Sequence, residues 1–289
     1  MAAQDLFVSS QNTNSVKRYD GVTGAYLGDF VPSGLGGLSR PQGIIFGPDG
    51  NLYVSSRDTG NVLRYDGTTG AFLGVFTSGY TFAFPGDLTF HNGSLFAAEF
   101  GNSNGLVQFD QTTGAFQGFF TQGGVPGGAD GHFWDPNGSL FISSWGTNTI
   151  RKYRPDGSFE GTFAGVNLSG PLDLRRGADG DVYVNSFLTG TVIRYDGVTG
   201  LFKSNFITGL GTTQGQEIAP DGTLLVGSFA NSVINKYDAT TGALIGTFAS
   251  GGGLAQPNNF TFGPVPEPAS LLVLALGSGL LLKRRKKRL

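Results

Sequence analysis

The sequence predicts an all-β fold, a six-bladed β-propeller closed by a strand from near its C-terminal end. Three observations carry that expectation. A unit of short strand-like runs recurs six times, its copies beginning at Leu6, Leu52, Leu95, Leu140, Val182 and Leu224. Asp-Gly-x-Thr-Gly type turns, such as Asp20-Gly21-Val22-Thr23-Gly24, recur at matching places in the copies. The composition holds 49 Gly and 25 Phe in 289 residues with only 14% charged side chains, which suits a turn-rich β protein with an aromatic core.

Each unit can be taken element by element. The first run is apolar, as in Leu52-Tyr53-Val54. The second ends on an aromatic residue: Tyr19, Tyr65, Phe109, Tyr153, Tyr195 and Tyr237. The Asp-Gly turn follows, and the third run ends on Phe30, Phe76, Phe120, Phe163, Phe206 and Phe248. A fourth run lies between units, as in Pro41-Gln42-Gly43-Ile44-Ile45-Phe46. It leads into Pro48-Asp49-Gly50, with parallels at Pro136-Asn137-Gly138 and Pro220-Asp221-Gly222. Copies spaced 46, 43, 45, 42 and 42 residues apart, each with four short strands, make propeller blades. Helical repeats are excluded, because no apolar 3.6-residue period exists outside the tail. The N-terminal unit has three runs only. Its missing fourth is Asn259-Phe260-Thr261-Phe262, aligned with Gly43-Ile44-Ile45-Phe46. Pairing the two ends in one blade removes open sheet edges, and the propeller is expected to occupy residues 1–263.

These units resemble NHL-type repeats and their six-bladed relatives. The likeness rests on LYVSS, on the step Arg64-Tyr65-Asp66, on the Pro-x-Gly start of the fourth run and on the Asp-Gly hairpin. It implies the fold over residues 1–263 and leaves function open, since propellers host hydrolases, lyases, sensors and binding platforms.

Residues 264–289 read as a sorting signal. Pro266-Glu267-Pro268 precedes an apolar run over 271–282, and Lys283-Arg284-Arg285-Lys286-Lys287-Arg288 closes it. The run is shorter than the ~20 residues of a stable span. A short transmembrane sorting helix is expected there, holding the chain transiently, with the cations on the cytoplasmic side. The order of features resembles the PEP-CTERM signal of Gram-negative bacteria. That resemblance implies export and cleavage near Pro266, Glu267 and Pro268 by an exosortase, a transpeptidase-like membrane enzyme, in a setting of exopolysaccharide and biofilm production. The alternative is an ordinary tail anchor. The chain begins Met1-Ala2-Ala3-Gln4-Asp5, without the charged and apolar regions of an export leader, so a missing N-terminal segment is expected.

Charge narrows the partners. Residues 1–282 carry 13 cations against 21 anions, a net of −8, which argues against nucleic acid and anionic membrane surfaces. The chain has no cysteine, which removes disulfides, thiol catalysis and thiolate metal sites.

The repeated turns are read as structural, since Gly supplies positive φ and Asp caps locally. None has calcium-loop spacing. The opposite face varies between copies. Asp87, Asp173 and Asn259 alternate with Gly43, Gly131 and Gly215, and the preceding positions add Gln42, Asp130, Gln214 and Asn258. Such oxygen-bearing groups form a candidate Ca²⁺ site in the central channel, or simply a polar channel filled with water. A second variable position reads Gln11, Arg57, Phe100, Trp145, Phe187 and Phe229. Its four aromatics are a candidate ligand rim for a sugar or an apolar molecule, or local core packing.

Catalysis has weaker support. Related six-bladed gluconolactonases use a divalent metal held by Glu, Asn and Asp, and streptogramin lyases need a His. Here His91 falls in a hairpin and His132 in an inner strand. Glu99, Asp130 and Glu217 are acidic candidates near the mouth, and Glu217 with His132 is a candidate acid–base pair. No Ser-His-Asp order or phosphate loop is present. The leading expectation is an exported propeller that binds extracellular polysaccharide or a cell-surface protein. The alternatives are a metal-dependent lactonase- or lyase-like enzyme and a structural surface protein with no small ligand.

Overall fold

The computed structural model describes residues 4–264. They form six four-stranded antiparallel sheets arranged as the blades of a propeller. Blade 1 joins the two ends of the described chain: β1 (Gln4–Ser10), β2 (Ser15–Tyr19) and β3 (Tyr26–Val31) pair in sequence, and the last strand completes it. Blade 2 is β4 (Pro41–Phe46), β5 (Leu52–Ser56), β6 (Asn61–Tyr65) and β7 (Phe72–Val75). Blade 3 is β8 (Pro85–His91), β9 (Ser94–Glu99), β10 (Gly105–Asp110) and β11 (Phe116–Phe119). Blade 4 is β12 (His132–Trp134), β13 (Leu140–Ser144), β14 (Thr149–Tyr153) and β15 (Phe159–Ala164). Blade 5 is β16 (Pro171–Arg176), β17 (Val182–Ser186), β18 (Thr191–Tyr195) and β19 (Phe202–Ile207). Blade 6 is β20 (Thr213–Ile218), β21 (Leu224–Ser228), β22 (Val233–Tyr237) and β23 (Leu244–Ala249). The closing strand is β24 (Pro257–Pro264).

Closure follows the expected register. In the β1/β24 ladder Leu6 pairs with Phe262, Phe7 with Thr261 and Val8 with Phe260. β24 is the innermost strand of blade 1, so both ends of the ring are consumed in one sheet. The sheet runs one residue further than the alignment suggested, with Gln4 opposite Pro264. The PEP hinge beyond Pro264 and the expected helix over 271–282 lie outside the described residues. Among the described residues, no helix is long and apolar enough to cross a membrane.

Between blades the core is built from the aromatic signature of the repeat. Phe7, Phe30, Ile44, Val54, Leu63 and Tyr65 form one such cluster between blades 1 and 2. The tyrosine ending β2, β6, β14 and β18 is buried, and its phenol reaches back to the loop from the preceding blade. Tyr65 Oη donates to the Leu35 carbonyl and Tyr19 Oη to that of Gly251, with parallels from Tyr153 to Gly124 and Tyr195 to Val166. A buried hydroxyl needs a partner, and here the partner belongs to the neighbouring blade, which fixes blade spacing.

The turn signature has a matching cause. Asp20 Oδ1 accepts from the Val22 and Thr23 amides and the Thr23 hydroxyl at 3.1, 2.7 and 2.8 Å. The turn then ends on Gly24 at φ 70°. A Cβ on Gly24 would lie 1.7 Å from the Phe248 carbonyl oxygen, and one on Gly70 1.9 Å from that of Phe30. The turn glycine therefore docks on the backbone of the phenylalanine in the preceding blade's outermost strand. Gly and Phe recur together because they touch.

Candidate ligand-binding mouth

The inner strands share an irregularity that the repeat pattern did not announce. In blade 2, Pro41 pairs with Ser56 and Ile44 with Val54, so the inner strand holds one residue more than its partner. The same break follows Pro85 in blade 3, Pro171 in blade 5 and Thr213 in blade 6. A bulge re-aims side chains and ends regular pairing. The pairs within these breaks are Gln42-Gly43, Gly86-Asp87, Leu172-Asp173 and Gln214-Gly215. They supply the residues at the propeller axis.

Packing explains why glycine alternates with polar residues there. A Cβ on Gly43 would lie 2.8 Å from Asp87 Cα, and one on Gly131 2.6 Å from Asp173 Cα. One on Gly215 would lie 3.1 Å from Asn259 Cα and 2.1 Å from the Asn258 carbonyl oxygen. Each glycine admits the backbone of the following blade. The glycines of the alternation are therefore set by packing.

The candidate metal residues are tied to protein donors. Asn259 Nδ2 donates to Asp87 Oδ1 at 2.9 Å. Asp173 Oδ2 accepts from the Gln216 amide at 2.8 Å and lies 3.8 Å from Arg175 Nε. Arg175 Nη2 is also 3.2 Å from Glu217. Burial pushes the Asp173 and Glu217 carboxyls upward against the pull of this guanidinium. Burial works against the Arg175 charge in turn, but Glu217 and Asp173 outweigh it and hold the proton. A hard cation wants a shell of oxygens, whereas these carboxylates face an amide nitrogen, a backbone N–H and a guanidinium. Among the described residues, no group of three or more His, Cys, Asp and Glu side chains is placed to hold a metal ion.

The acid–base pair suggested by the sequence does not form. Glu217 is engaged with Arg175, while His132 Nε2 is 2.8 Å from Thr89 Oγ1 in the neighbouring blade. His132 is buried, and burial holds its pKa below the usual imidazole value. Glu99 is equally structural. It is fully buried, its Oε1 accepts the Ala83 and Phe84 amides at 3.0 and 3.1 Å, and its Oε2 accepts the Tyr80 hydroxyl at 2.8 Å. It organises the loop into blade 3.

The second variable position has a different geometry. Gln11, Arg57, Phe100, Trp145, Phe187 and Phe229, one from each blade, line a single cavity of about 280 Å³ over the axis. The four aromatics form a continuous arc across blades 3 to 6. Ring centroids are 5.5 Å apart for Phe100 and Trp145, 6.1 Å for Trp145 and Phe187, and 5.7 Å for Phe187 and Phe229. The rings are only half-buried, so they pack on one another and still present surface to the cavity. The packing reading and the rim reading thus describe the same arc.

Opposite the arc the wall is polar and cationic, from Gln11, Arg40 and Arg57. With its amide oxygen toward Arg40, Gln11 accepts from Nη2 at 2.7 Å and Nε at 3.1 Å. The Arg57 guanidinium lies 4.6 Å from the Phe84 ring centroid and 5.9 Å from that of Phe100. The floor adds Gln42, Gln214, Leu172 and Asp130. Asp130 is 5% exposed; its Oδ2 accepts a long 3.5 Å contact from Gln214 Nε2, and its Oδ1 has no partner. Burial, and then Asp87, push its carboxyl up to about 7, against Gln214 and Arg57. Oδ1 is turned to the neighbouring blade, where a Cβ on Gly86 would lie 2.4 Å from it. Arg40 and Phe84 stand directly before Pro41 and Pro85, the first residues of β4 and β8, and Leu172 shares the position of Gln42, Asp130 and Gln214; those matching places are the signal that could have pointed to them.

Against this geometry the likenesses to known proteins can be set. A family profile described as a repeat of unknown function (DUF6923) matches residues 5–158. A PEP-CTERM protein-sorting motif matches residues 264–288, which include Pro266, Glu267 and Pro268. That motif marks an exported, exosortase-processed protein sorted to the cell envelope. No curated protein matches the sequence. Among solved structures, a chain from the crystal structure of a nidogen/laminin complex is similar, with TM-score 0.76 and 13% identity over 90% of this chain and 98% of that one. A protein of unknown function from Bacteroides caccae is similar with TM-score 0.67 and 12% identity, over 90% of this chain and 99% of that one. At these identities the likeness is one of fold.

Proposed function

The chain belongs to the DUF6923 repeat family and ends in a PEP-CTERM sorting motif, and from that premise we propose that it is a surface-sorted propeller whose mouth binds a saccharide of the extracellular matrix. The observation that carries this reading is the two-sided cavity. One wall is the arc from Phe100 to Phe229, and the other wall and floor are polar. A sugar ring has the same division. Its C–H face stacks on aromatics, and its hydroxyls seek acceptors and donors, here Gln42 and Gln214. A volume of about 280 Å³ lies at the small end of ligand sites, ~300–1,000 Å³, and suits a chain end or a short segment.

Binding is favoured over catalysis by the state of the titratable groups. His132 and Glu217 are each engaged by another residue, and Glu99 is capped by the Tyr80 hydroxyl and two backbone amides. An exported propeller of this kind fits an exopolysaccharide-rich biofilm, with the exosortase as its processing partner. The test is a glycan array with the full chain, followed by Trp145→Ala. Loss of the array signal with an unchanged melting curve supports the reading. A folded Trp145→Ala protein that keeps wild-type affinity refutes it.

A further inference from the structure

The mouth is divided by charge as well as by polarity, and the division names a class of sugar. Arg57 is an unneutralised cation. Among the described residues no carboxylate forms an ion pair with it, and its Nε is buried without a hydrogen-bond partner. The group is nonetheless held in place, over the Phe84 ring at 4.6 Å and 5.9 Å from that of Phe100. Burial lowers its pKa, and Arg40, the second cation of the cavity wall, lowers it further. Arg40 has weak neutralisation, with Asp58 3.9 Å away and both side chains more than 40% exposed. Two like charges are thus brought to one wall of a cavity, and the carboxylates that act on Arg57, Asp130 and Asp58, form no ion pair with it. The planar guanidinium presents a fork that matches an oxyanion, and the adjoining Phe100 begins the stacking arc.

We propose that the mouth selects an anionic saccharide, with the oxyanion substituent of one sugar at Arg57 and Arg40 and the ring on the arc starting at Phe100. This rests on the saccharide reading above and goes beyond it by naming the charge of the ligand. The shared chemistry is an oxyanion on a pyranose ring, either the carboxylate of a uronic acid or a sulfate ester. The rest of the cavity accepts such a ligand. Its one carboxylate, Asp130, lies in the floor at 5% exposure, and the anion would sit at the rim beside the guanidinium groups.

The experiment compares three oligosaccharides of equal length on the full chain by titration calorimetry: an oligo-uronate, the same oligomer with its carboxyls reduced to alcohols, and a sulfated neutral oligomer. A charge-assisted bidentate contact predicts at least about tenfold tighter binding of an anionic oligomer than of the reduced one. The preference should shrink as salt rises. Preference for the uronate identifies carboxylate, and preference for the sulfated oligomer alone identifies sulfate. Arg57→Gln should bring the anionic and neutral affinities together, while Arg57→Lys should keep part of the difference, since it keeps charge without the fork. Equal affinity of the wild type for all three overturns the charge assignment and leaves the saccharide reading standing. Binding of none of them overturns both. An Arg57→Gln protein that is folded by its melting curve and retains the tenfold preference also overturns the assignment.

Discussion

Phe260→Ala should destabilise the whole ring, although it removes one side chain from the last strand. Phe260 is 1% exposed and packs with Leu6, Val8, Leu225 and Ile234. Its ring fills space beside two glycines: a Cβ on Gly215 would lie 2.9 Å from Phe260 Cε1, and one on Gly227 3.3 Å away. Those neighbours have no side chains with which to refill a hole. The cost should therefore fall within the full range for burying and then deleting a phenylalanine, about 3–5 kcal/mol. At about 2–4 °C per kcal/mol for a domain of this size, the melting temperature should drop by roughly 10 °C. The strand also closes the ring, so the loss should appear in one cooperative transition and not as fraying of blade 1. Calorimetry and urea unfolding followed by tryptophan fluorescence would read this, with Ile44→Ala at the equivalent place in blade 2 as the comparison. Deleting residues 257–264 should lower the melt further, because it opens two sheet edges. A shift of less than about 3 °C for Phe260→Ala, or a separate early transition with the main one unmoved, would refute the argument that closure holds the ring.

Other expectations follow from the mouth and the tail. Trp145→Ala should lose saccharide binding while keeping the fold, since stacking contributes roughly 0.5–1.5 kcal/mol beyond area burial; binding and melting curves on the same sample separate the two. Asp130 is pushed up to about 7 by burial and Asp87, while the unfolded carboxyl titrates near ~3.9. Between those values the folded state keeps a proton that the unfolded chain has lost. The resulting stabilisation is full below about pH 4 and is lost as pH rises through about 7. Asp130→Asn should flatten that part of the pH profile of the urea midpoint, and parallel profiles for the two proteins would contradict it. Mass spectrometry of the exported protein from a host with the matching exosortase should find a species lacking residues 283–289; a mature protein with the basic tail intact would mean a plain anchor.

Much of the architecture is legible because each signature residue makes a local contact that every blade repeats. The Asp-Gly-x-Thr-Gly turns, the aromatic ending the second strand and the phenylalanine ending the third all recur, and periodicity exposes them. The closing strand is legible for the same reason, as a displaced copy of β4. The axis was harder. In the alternation of Gly43, Gly131 and Gly215 with Asp87, Asp173 and Asn259, the glycines record where the next blade's backbone passes. That crossing depends on a bulge between strands, and a bulge leaves no periodic trace in a single sequence. Residue type and nearness to the mouth mark Glu99, Glu217 and His132 as candidate reactive groups, but not what holds them. Their partners Tyr80, Arg175 and Thr89 lie 19, 42 and 43 residues away and could not be paired with them in advance. The rim positions could be found because they follow the same strand in every blade. Their division into an aromatic arc and a cationic wall could be read from the order of blades, once the ring was known to close.

The direction of β24 sets which way the molecule looks. The strand starts at Pro257, opposite Ser10, just after the Gln256 carbonyl accepts from the amide of Gln11 at the mouth. It ends at Pro264, opposite Gln4, on the side of the hairpin turns, where a Cβ on Gly21 would strike the Gln4 carbonyl oxygen. Eight strand residues carry the chain roughly 23 Å at ~3.3 Å per residue, from one face of the disc to the other. The tether therefore departs from the underside. The strand that latches the disc shut thus also places the start of the sorting motif, at Pro264, on the hairpin side and clear of the bowl.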